Sequence, residues 1–584
     1  MKAEPMTPRA VLVLGAAAAY LVAAGVARAG GGAGAPRVAL EEPWSFGVIA
    51  DTQWTEPDDG RNPGTCAVDI INQVNERFIE HGVKFVVAVG DLTDAASASN
   101  MDIRAVYAQA LYNAGIGFFP LRGNHDSTDA DEFKRVFPQT RGGPHNATPA
   151  DARAVANPDA AAVPPAPVRG APFVLGTSFS SPDGMVGLSY SFDYRNVRFV
   201  LLDQFDGRRN TIQPQQSWIS RVLAGKPEGG HAIVFGHKGL MTGYHSDNLF
   251  GAHQDSDPAG ADAFVRSLAD NGVRYYVGGH DHMHDLSLVW THDGTARVTE
   301  LVCASDSSKF YLPRRHGWRR LVPAFLVPVL ERARQAPIAE ETRTVGYYVF
   351  HVDGPRMTVD YYAAPVATRL IDGDWTLTTT PRLSFSRRQT FGYDLRGKEF
   401  VVPPGSPYTA VDDAFAGSRA RIVDGKSLGT AEDGIGRPFS HAVNTGWSTR
   451  SCGTASAELH LWGMATTPGS SKADTYTLAI TYEDARGPLD EAGAAGFGLA
   501  TRLEDGRWTN AVDANGAGAR AFVPGPWRAG YALGTYGLDA RTRTAWAVVD
   551  HGGDFRVGYF DDRRTEAACG SEAGRGAADP HARR

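Results

Sequence analysis

Cysteine is scarce in this chain, with four among 584 residues, and no C-x-x-C pair occurs that would suggest a zinc knuckle. Basic residues are not in excess. A formal net charge of -7 and a sequence pI of about 6.2 argue against nucleic-acid binding through a basic surface. After the N-terminal segment, no apolar run is long enough to span a bilayer. The composition that remains, 42% hydrophobic and 21% charged, is ordinary for a globular protein.

The N-terminal segment is typical of an export signal. Lys2 and Arg9 precede an apolar run from Ala10 to Ala27, and Ala27-Arg28-Ala29 resembles a signal-peptidase site. A retained membrane anchor is the alternative, but the run is short and consists largely of alanine and glycine. No twin-arginine pair or lipobox cysteine occurs near the start. We therefore expect Sec-type export, a secreted or periplasmic protein, and no stable membrane span after cleavage.

The length indicates several domains, since about 150 residues make a typical unit. We predict a signal peptide at 1–29, a linker at 30–40, an α/β domain at 41–365, an all-β sandwich domain of accessory role at 366–562 and a disordered tail at 563–584. Residues 139–172, rich in proline, alanine and glycine, are expected to form a surface loop. Export would permit a disulfide, and we predict one between Cys452 and Cys569, with unpaired thiols as the alternative.

Strand-like and helix-like segments alternate in the α/β domain. The predicted strands are Ser45–Ala50, Lys84–Val89, Ile116–Leu121, Val197–Leu202, Ala232–Phe235 and Arg274–Val277. The predicted helices are Val68–His81, Met101–Ala114, Pro214–Leu223 and Ala261–Asn271. After about residue 365 short alternating strands with turn signals take over, which favours an all-β sandwich.

Polar clusters follow five of the predicted strands. They are Asp51-Thr52-Gln53, Gly90-Asp91, Gly123-Asn124-His125-Asp126, Gly236-His237 and Gly279-His280-Asp281-His282. In open α/β sheets the carboxyl ends of strands meet at one edge, where ligands bind. Carboxylate, amide and imidazole groups together could hold two divalent metals there. Such a pair would polarise a phosphoryl group and generate a hydroxide from bound water, so we expect a metal-dependent hydrolase.

The motifs GD, GNHD, GH and GHDH, in this order on β-α-β units, resemble those of the calcineurin-like metallophosphoesterases over about residues 45–365. The resemblance implies a two-sheet α/β sandwich with a binuclear centre that hydrolyses phosphate mono- or diesters. It also implies two sets of metal ligands. One metal would be held by Asp51, Gln53, Asp91 and His282, and Asp91 would bridge to a second metal completed by Asn124, His237 and His280.

The resemblance further implies a proton donor. His125 would face the phosphate as the acid for the leaving group and would not bind metal. Asp94, in Gly90-Asp91-Leu92-Thr93-Asp94, resembles the carboxylate that orients this histidine in the protein-phosphatase branch. A carboxylate in that place fixes the tautomer and raises the basicity of the imidazole. The alternative for Asp94 is a helix N-cap ahead of Ala95.

Two positions depart from the family pattern. Gln53 stands where most members have histidine, and a neutral amide oxygen makes a harder and weaker site that favours Mn or Mg over Zn. Alternatively, Gln53 only binds a water molecule. Asp94 stands where purple acid phosphatases have the tyrosine that ligates Fe(III), so a purple iron centre is not expected. We expect two divalent ions chosen from Mn, Fe and Zn, with Mn favoured beside Gln53.

Several flanking residues have two interpretations. Arg122 could clamp a phosphate or pair with a structural acid, and Lys238 and His245 could meet a phosphate oxygen or be solvated loop residues. His284 would point the same way as His282 on an extended chain and would at most support the ligands. Residues 314–330, basic and then apolar, could form a lid, an anion-binding surface or a membrane contact, or a helix packed on the domain.

The sequence thus favours an exported metallophosphoesterase, and the Asp94 and His125 pair favours a phosphomonoesterase over a phosphodiesterase. A third hypothesis is a non-catalytic binding protein on the same scaffold, whose β-sandwich contacts a cell wall or carbohydrate. Nucleotides, phosphoproteins, sugar phosphates and lipid head groups all remain open as the phosphorylated substrate.

Overall fold

The computed structural model describes residues 42–560, except residues 57, 129, 142–178, 206–209, 242, 254–255, 314–333, 432–437, 468–469, 471 and 484–495. The predicted signal peptide, linker and C-terminal tail lie outside the described residues. So do the basic and apolar segment 314–330, most of the predicted surface loop, and Cys569. The other three cysteines are described: Cys66 and Cys303 are buried free thiols, and Cys452 is disulfide-bonded.

The first half of the chain alternates strands and helices, as predicted. In chain order these are β1 (Trp44–Ile49), α1 (Val68–His81), β2 (Phe85–Val89), α2 (Ala98–Val106), α3 (Gln109–Asn113), β3 (Gly117–Leu121), α4 (Ala130–Val136), β4 (Tyr190–Tyr194), β5 (Val197–Leu202), α5 (Gln216–Ala224), β6 (His231–Gly236), α6 (Pro258–Asp270), β7 (Tyr275–Gly278), β8 (His284–Trp290), β9 (Arg297–Val302) and β10 (Lys309–Phe310).

One predicted helix, Met101–Ala114, is wrong, because this stretch holds the two helices α2 and α3. The main-chain oxygen of Tyr107 accepts a hydrogen bond from Asn75 Nδ2 at 2.7 Å. The N–H of Leu111, which would bond to that oxygen in a continuous helix, donates instead to Ala108 O at 3.1 Å. A side chain from α1 therefore interrupts the hydrogen-bond ladder of the predicted helix.

From residue 334 onward, the described secondary structure consists of strands and two short 3-10 helices. The strands are β11 (Gln335–Glu341), β12 (Thr344–Asp353), β13 (Arg356–Pro365), β14 (Arg369–Ile371), β15 (Asp374–Thr376), β16 (Ser386–Asp394), β17 (Glu399–Val402), β18 (Asp412–Phe415), β19 (Ser418–Gly425), β20 (His441–Ser448), β21 (Glu458–Trp462), β22 (Lys472–Thr481), β23 (Phe497–Arg502), β24 (Trp508–Asn510), β25 (Ala521–Pro524), β26 (Thr535–Asp539), β27 (Thr544–His551) and β28 (Gly553–Tyr559).

Two mixed sheets carry the polar clusters. One has the order β16-β13-β12-β1-β2-β3, with β1, β2 and β3 parallel, and the other has the order β11-β8-β9-β7-β6-β5-β4, with β5, β6, β7 and β9 parallel. Strand β16 lies beyond the boundary predicted at residue 365 but pairs with β13 in the first of these sheets. The small sheet β10-β15-β14 lies at residues 309–376.

The two sheets share one apolar core. Phe46 and Phe85 of the first sheet contact Phe199 of the second at ring-centroid distances of 5.0 and 5.1 Å. The opposite face of the first sheet packs on α1 and α3, and that of the second packs on α5 and α6. Since both sheets are covered on both faces, their parallel strands are largely apolar, and the clustered polar side chains follow where the strands end.

Two further sheets form a strand-rich C-terminal region. Their orders are β17-β20-β21-β28-β23-β24 and β18-β19-β22-β27-β26-β25, and side chains from both sheets form a common apolar cluster. This region contacts the preceding one through β16 and β20, and Arg297 donates to Glu399 O at 2.8 Å. In the described ranges, none of the helices has the length and apolar content needed for a membrane crossing.

Candidate metal centre

The predicted ligands converge at the carboxyl ends of β1, β2, β3, β6 and β7. Two groups of side chains each place their ligand atoms within 4.8 Å of one another. These groups are Asp51, Asp91 and His282, and Asp91, His237 and His280. The carboxylate of Asp91 belongs to both groups, so the geometry offers two adjacent cation sites with one shared carboxylate.

Two of the imidazoles are aimed by a hydrogen bond on their far side. His237 Nδ1 donates to Val89 O at 2.9 Å, which leaves Nε2 at 3.3 Å from Asp91 Oδ2. His282 Nδ1 donates to Lys309 O at 2.9 Å, which leaves Nε2 at 3.4 Å from Asp51 Oδ1. A carbonyl behind the ring fixes the tautomer and presents the second nitrogen to a cation.

His280 differs from these two histidines, because its Nε2 and not its Nδ1 bonds to the protein. Its Nε2 lies 3.2 Å from Asp247 Oδ1, and Asp247 is also ion-paired with the buried Lys238. Nδ1 is therefore the nitrogen that remains for a metal. The main-chain N–H of His280 donates to Asp51 Oδ1 at 3.0 Å, which ties the end of β7 to the end of β1.

The amide side chains of Gln53 and Asn124 are also placed to bind a cation. Gln53 Oε1 is buried and has no hydrogen-bond partner in the described part of the chain. Burying an unpaired amide oxygen costs about 1–3 kcal/mol in proteins. A missing partner, such as a cation, is therefore the physical explanation. Asn124 Oδ1 lies 3.1 Å from His237 Nε2, and the two atoms face the same site.

The electrostatics of the cluster suit cation binding. Burial lowers the pKa of His280 to about 4 and that of His282 to about 3, so both imidazoles are neutral near pH 7 and have a lone pair to donate. Burial would also lower the pKa of His237, but the Asp91 carboxylate outweighs burial and raises it to about 9. A cation bound beside Asp91 would take the place of that proton.

The backbone of the site is strained. Asp51, Asp91, His280 and His282 all have positive φ, at 53°, 46°, 72° and 50°. This left-handed conformation costs a non-glycine residue of order 1 kcal/mol or more and concentrates at functional sites. Two motif glycines have a steric role. A Cβ at Gly123 would lie 2.0 Å from Asp91 Oδ1, and a Cβ at Gly279 would lie 2.7 Å from Asp51 Oδ2.

His125 lies at the edge of the cluster with 33% of its side chain exposed. Its main-chain N–H donates to Asp91 Oδ1 at 2.9 Å, and its Nε2 is 4.0 Å from Asp91 Oδ2. Nδ1 bonds to the main-chain oxygen of Asp94 at 2.6 Å, whereas the Asp94 carboxylate is 3.5 Å away. The N-cap interpretation of Asp94 is wrong, because Ser97 caps α2 by accepting from Asn100 N at 3.1 Å.

Two motif carboxylates had no assigned role in the sequence. Asp126 is buried and accepts from the N–H groups of Leu92, Thr93 and Gly123 at 2.8, 3.1 and 3.0 Å, which joins the loops after β2 and β3. Asp281 accepts from the N–H groups of Gly243, Tyr244 and His245 at 2.6, 3.1 and 3.0 Å. Their position inside the motifs GNHD and GHDH was the sequence feature that could have identified them. The neighbouring sequence does not indicate which N–H groups they bind.

The flanking residues are bound to protein partners. Arg122 forms a buried, two-pronged ion pair with Asp203, at 2.6 and 3.1 Å. His245 Nδ1 bonds to Asp281 Oδ1 at 2.8 Å. His284 lies between Tyr348 and Gln389, at 3.0 Å from each, and faces the core. For Arg122 and His284 the structural interpretation is therefore the one that the contacts support.

An aromatic surface adjoins the cluster. His245 stacks on His280 with ring centroids 3.9 Å apart, and the Tyr311 ring lies 4.9 Å from that of His282. Tyr244 stacks on Tyr311 at 4.2 Å. No local sequence pattern indicates this surface, because it joins a loop after β6 to the residue that follows β10.

A known protein family matches the part of the chain that carries this geometry. Residues 45–284 match the family described as calcineurin-like phosphoesterase. Comparison with curated proteins gave no match. Among solved structures, a purple acid phosphatase from yellow lupin (Lupinus luteus) seeds is similar at 14% identity and a TM-score of 0.31, over 55% of this chain and 51% of that one. A dimetal phosphatase from Danio rerio has the same identity and TM-score, over 55% of this chain and 95% of its own.

Proposed function

We propose that this chain, whose residues 45–284 match the calcineurin-like phosphoesterases, is a phosphoric ester hydrolase, and more narrowly an exported phosphomonoesterase that uses two divalent cations. The single observation that carries the proposal is the pair of ligand groups that share Asp91. The unpartnered oxygen of Gln53 supports it further.

In this proposal the ligands divide as the family resemblance implies. One cation would be held by Asp51, Gln53, Asp91 and His282, and the other by Asp91, Asn124, His237 and His280. The amide of Gln53 makes the first site harder than an imidazole would, which favours Mn there. When bound, the two cations would polarise the phosphoryl group and lower the pKa of a water molecule.

His125 would supply the proton that the leaving group needs. In its protonated form it can give the Nε2 proton to the ester oxygen while Nδ1–H stays bonded to Asp94 O, at 2.6 Å. The partial exposure of the ring lets a substrate reach it. An alkyl alcohol is a poor leaving group, so an acid in this place favours monoester hydrolysis. A phosphodiesterase using the same histidine is the alternative.

Phosphate release from an aryl phosphate in the presence of Mn tests the proposal. We expect turnover by the mature protein and its loss in Asp91→Ala, because that change removes a ligand from both sites. Asp270→Ala is the matched control, since Asp270 lies exposed at the end of α6. Activity that persists in Asp91→Ala would contradict the shared-ligand assignment.

A panel of leaving groups separates the two esterase classes. We expect His125→Asn to slow hydrolysis of an alkyl phosphate far more than that of a nitrophenyl phosphate, because the nitrophenolate needs little protonation. Faster turnover of bis-nitrophenyl phosphate than of the monoester would instead favour the phosphodiesterase.

The binding-protein hypothesis makes a different prediction about metal content. A phosphoesterase should take up about two equivalents of Mn after reconstitution, whereas a scaffold without catalytic function should hold less than one. Export is part of our proposal on the basis of residues 1–29, and recovery of a mature chain that begins at Gly30 outside the cytoplasm would test it.

A further inference from the structure

A second cluster of reactive side chains lies on the C-terminal sheet, outside the metal centre. Strands β20, β21 and β28 are neighbours there, and His460 of β21 lies directly opposite Asp554 of β28. Ser448, the last residue of β20, pairs with Glu458, two residues before His460 on the same face of the sheet. The pleat therefore brings a hydroxyl, an imidazole and a carboxylate together.

The three side chains form a continuous hydrogen-bond chain. Ser448 Oγ lies 3.0 Å from His460 Nε2, and His460 Nδ1 lies 2.6 Å from Asp554 Oδ1. The short contact to the carboxylate places a proton on Nδ1, which leaves Nε2 free to accept from the serine. Burial would raise the pKa of Asp554, but the hydrogen bond from His460 and the nearby charges of His460, Arg356 and Arg502 together lower it, so the carboxylate is ionised.

A metal ion is the obvious competing occupant, because Glu458, His460 and Asp554 could supply ligand atoms. Arg356 argues against it. Its Nη1 lies 3.1 Å from His460 Nδ1 and 3.4 Å from Asp554 Oδ1, so a guanidinium already fills the position of a cation. A metal would also have to bind His460 through the nitrogen that faces Asp554.

We propose that Ser448, His460 and Asp554 form a nucleophilic triad that hydrolyses carboxylic esters at a site separate from the metal centre. The serine stands where solvent can reach it, because Ser448 is only partly buried and is followed by the exposed residues Thr449 to Cys452. His460 is 2% exposed and Asp554 17%, so the base and its carboxylate are shielded while the nucleophile lies at the rim.

The reaction balances with water as the only co-substrate. Ser448 Oγ forms a bond to the acyl carbon as its proton passes to His460 Nε2, and Asp554 stabilises the imidazolium. The bond to the alcohol then breaks, and Nε2 returns the proton to the leaving oxygen. Water attacks the acyl-serine, gives a proton to Nε2 and releases the carboxylic acid, after which Ser448 regains its proton.

The test uses the full-length protein carrying Asp91→Ala, in EDTA, so that the metal centre contributes no turnover. We expect a fluorophosphonate probe to label one serine and nitrophenyl acetate to be hydrolysed. Ser448→Ala should remove the label and lower ester turnover by about 100-fold or more. Ser440→Ala, at the partly buried residue just before β20, is the matched control. With Asp91 intact, Ser448→Ala should leave phosphate-ester turnover unchanged, which separates this site from the proposed phosphomonoesterase.

A second pair of variants reports on the base alone. If His460 accepts the proton, Ser448→Cys should react with iodoacetamide at pH 7 about tenfold or more faster than Ser440→Cys. Equal rates, or a wild-type protein that is neither labelled nor active on the acetate ester, would overturn the proposal. Uptake of an extra equivalent of Zn or Mn that is lost in Glu458→Gln would overturn it in favour of a metal site.

Discussion

Arg122 offers a sharp test of how this site is built, because its two interpretations predict opposite results. Its guanidinium is 1% exposed and its partner Asp203 is 0% exposed. Besides Asp203, it donates to Ser127 O at 3.0 Å and to Phe205 O at 3.1 Å. Arg122 therefore ties the end of β3 to the segment that follows β5, and its charge is paired with that of Asp203.

Arg122→Met keeps most of the side-chain volume but leaves the Asp203 carboxylate buried, and among the described residues the N–H of Phe205, at 2.8 Å from Oδ1, is then its remaining donor. Breaking a buried pair from one side costs about 3–5 kcal/mol. We expect urea unfolding followed by tryptophan fluorescence to show a loss of that size. The double variant Arg122→Met/Asp203→Leu should recover most of it, because no uncompensated charge remains.

Arg266→Met is the matched control, since the Arg266 and Asp293 pair is largely exposed and its loss should move the unfolding midpoint little. A phosphate-clamp role would give a different pattern. If Arg122→Met unfolds at the wild-type urea concentration while kcat/KM for an aryl phosphate falls 100-fold, the structural interpretation is refuted.

Four further predictions follow from individual contacts. Asp94→Asn should lower kcat by about tenfold or less, whereas His125→Asn should lower it by about 100-fold or more. The reason is that His125 Nδ1 makes its shorter contact with the main-chain oxygen of Asp94, which Asp94→Asn retains. The pH–rate profiles of both variants check this. Gly123→Ala should weaken Mn binding measured by calorimetry, since its Cβ would displace a shared carboxylate. Asp247→Ala should lower metal affinity by about 10–100-fold by releasing the imidazole that it holds, with partial rescue by excess metal. Burial lowers the pKa of His231 to about 4, so as the pH falls the unfolded chain binds a proton before the folded chain does. The free energy of unfolding should therefore fall by about 3 kcal/mol between about pH 6.5 and pH 4. His231→Gln should flatten this part of the stability profile measured by urea denaturation.

The strands that carry the site follow from local patterns. The predicted runs that match β1, β2, β3, β5, β6 and β7 are short apolar segments bounded mostly by glycine or polar residues, and such segments are typical of buried parallel strands. The observed bounds therefore fall close to the predicted ones, as for β5 at Val197–Leu202. The family match over residues 45–284 could likewise be predicted from local sequence, because each of its motifs is a short contiguous segment.

Local sequence patterns could not predict which residues would form ion pairs, hydrogen bonds or strand pairs with one another. Arg122 pairs with a carboxylate 81 residues away, and Asp281 binds N–H groups 36 to 38 residues earlier. The break between α2 and α3 depends on Asn75, and β16 joins the first sheet from beyond the boundary predicted at residue 365. In each case the deciding contact joins elements that are distant in the chain.

The sequence by itself determined which residue types stand at the strand ends and hence the kind of chemistry this protein performs, because apolar periodicity and turn residues act locally. The tertiary structure alone decided which nitrogen of each imidazole faces the centre, that a carbonyl bonds His125, and that Ser448, His460 and Asp554 meet across three strands. Hydrogen bonds and cation sites depend on distances of a few tenths of an ångström, and such distances are set only when separate sheets and loops pack together.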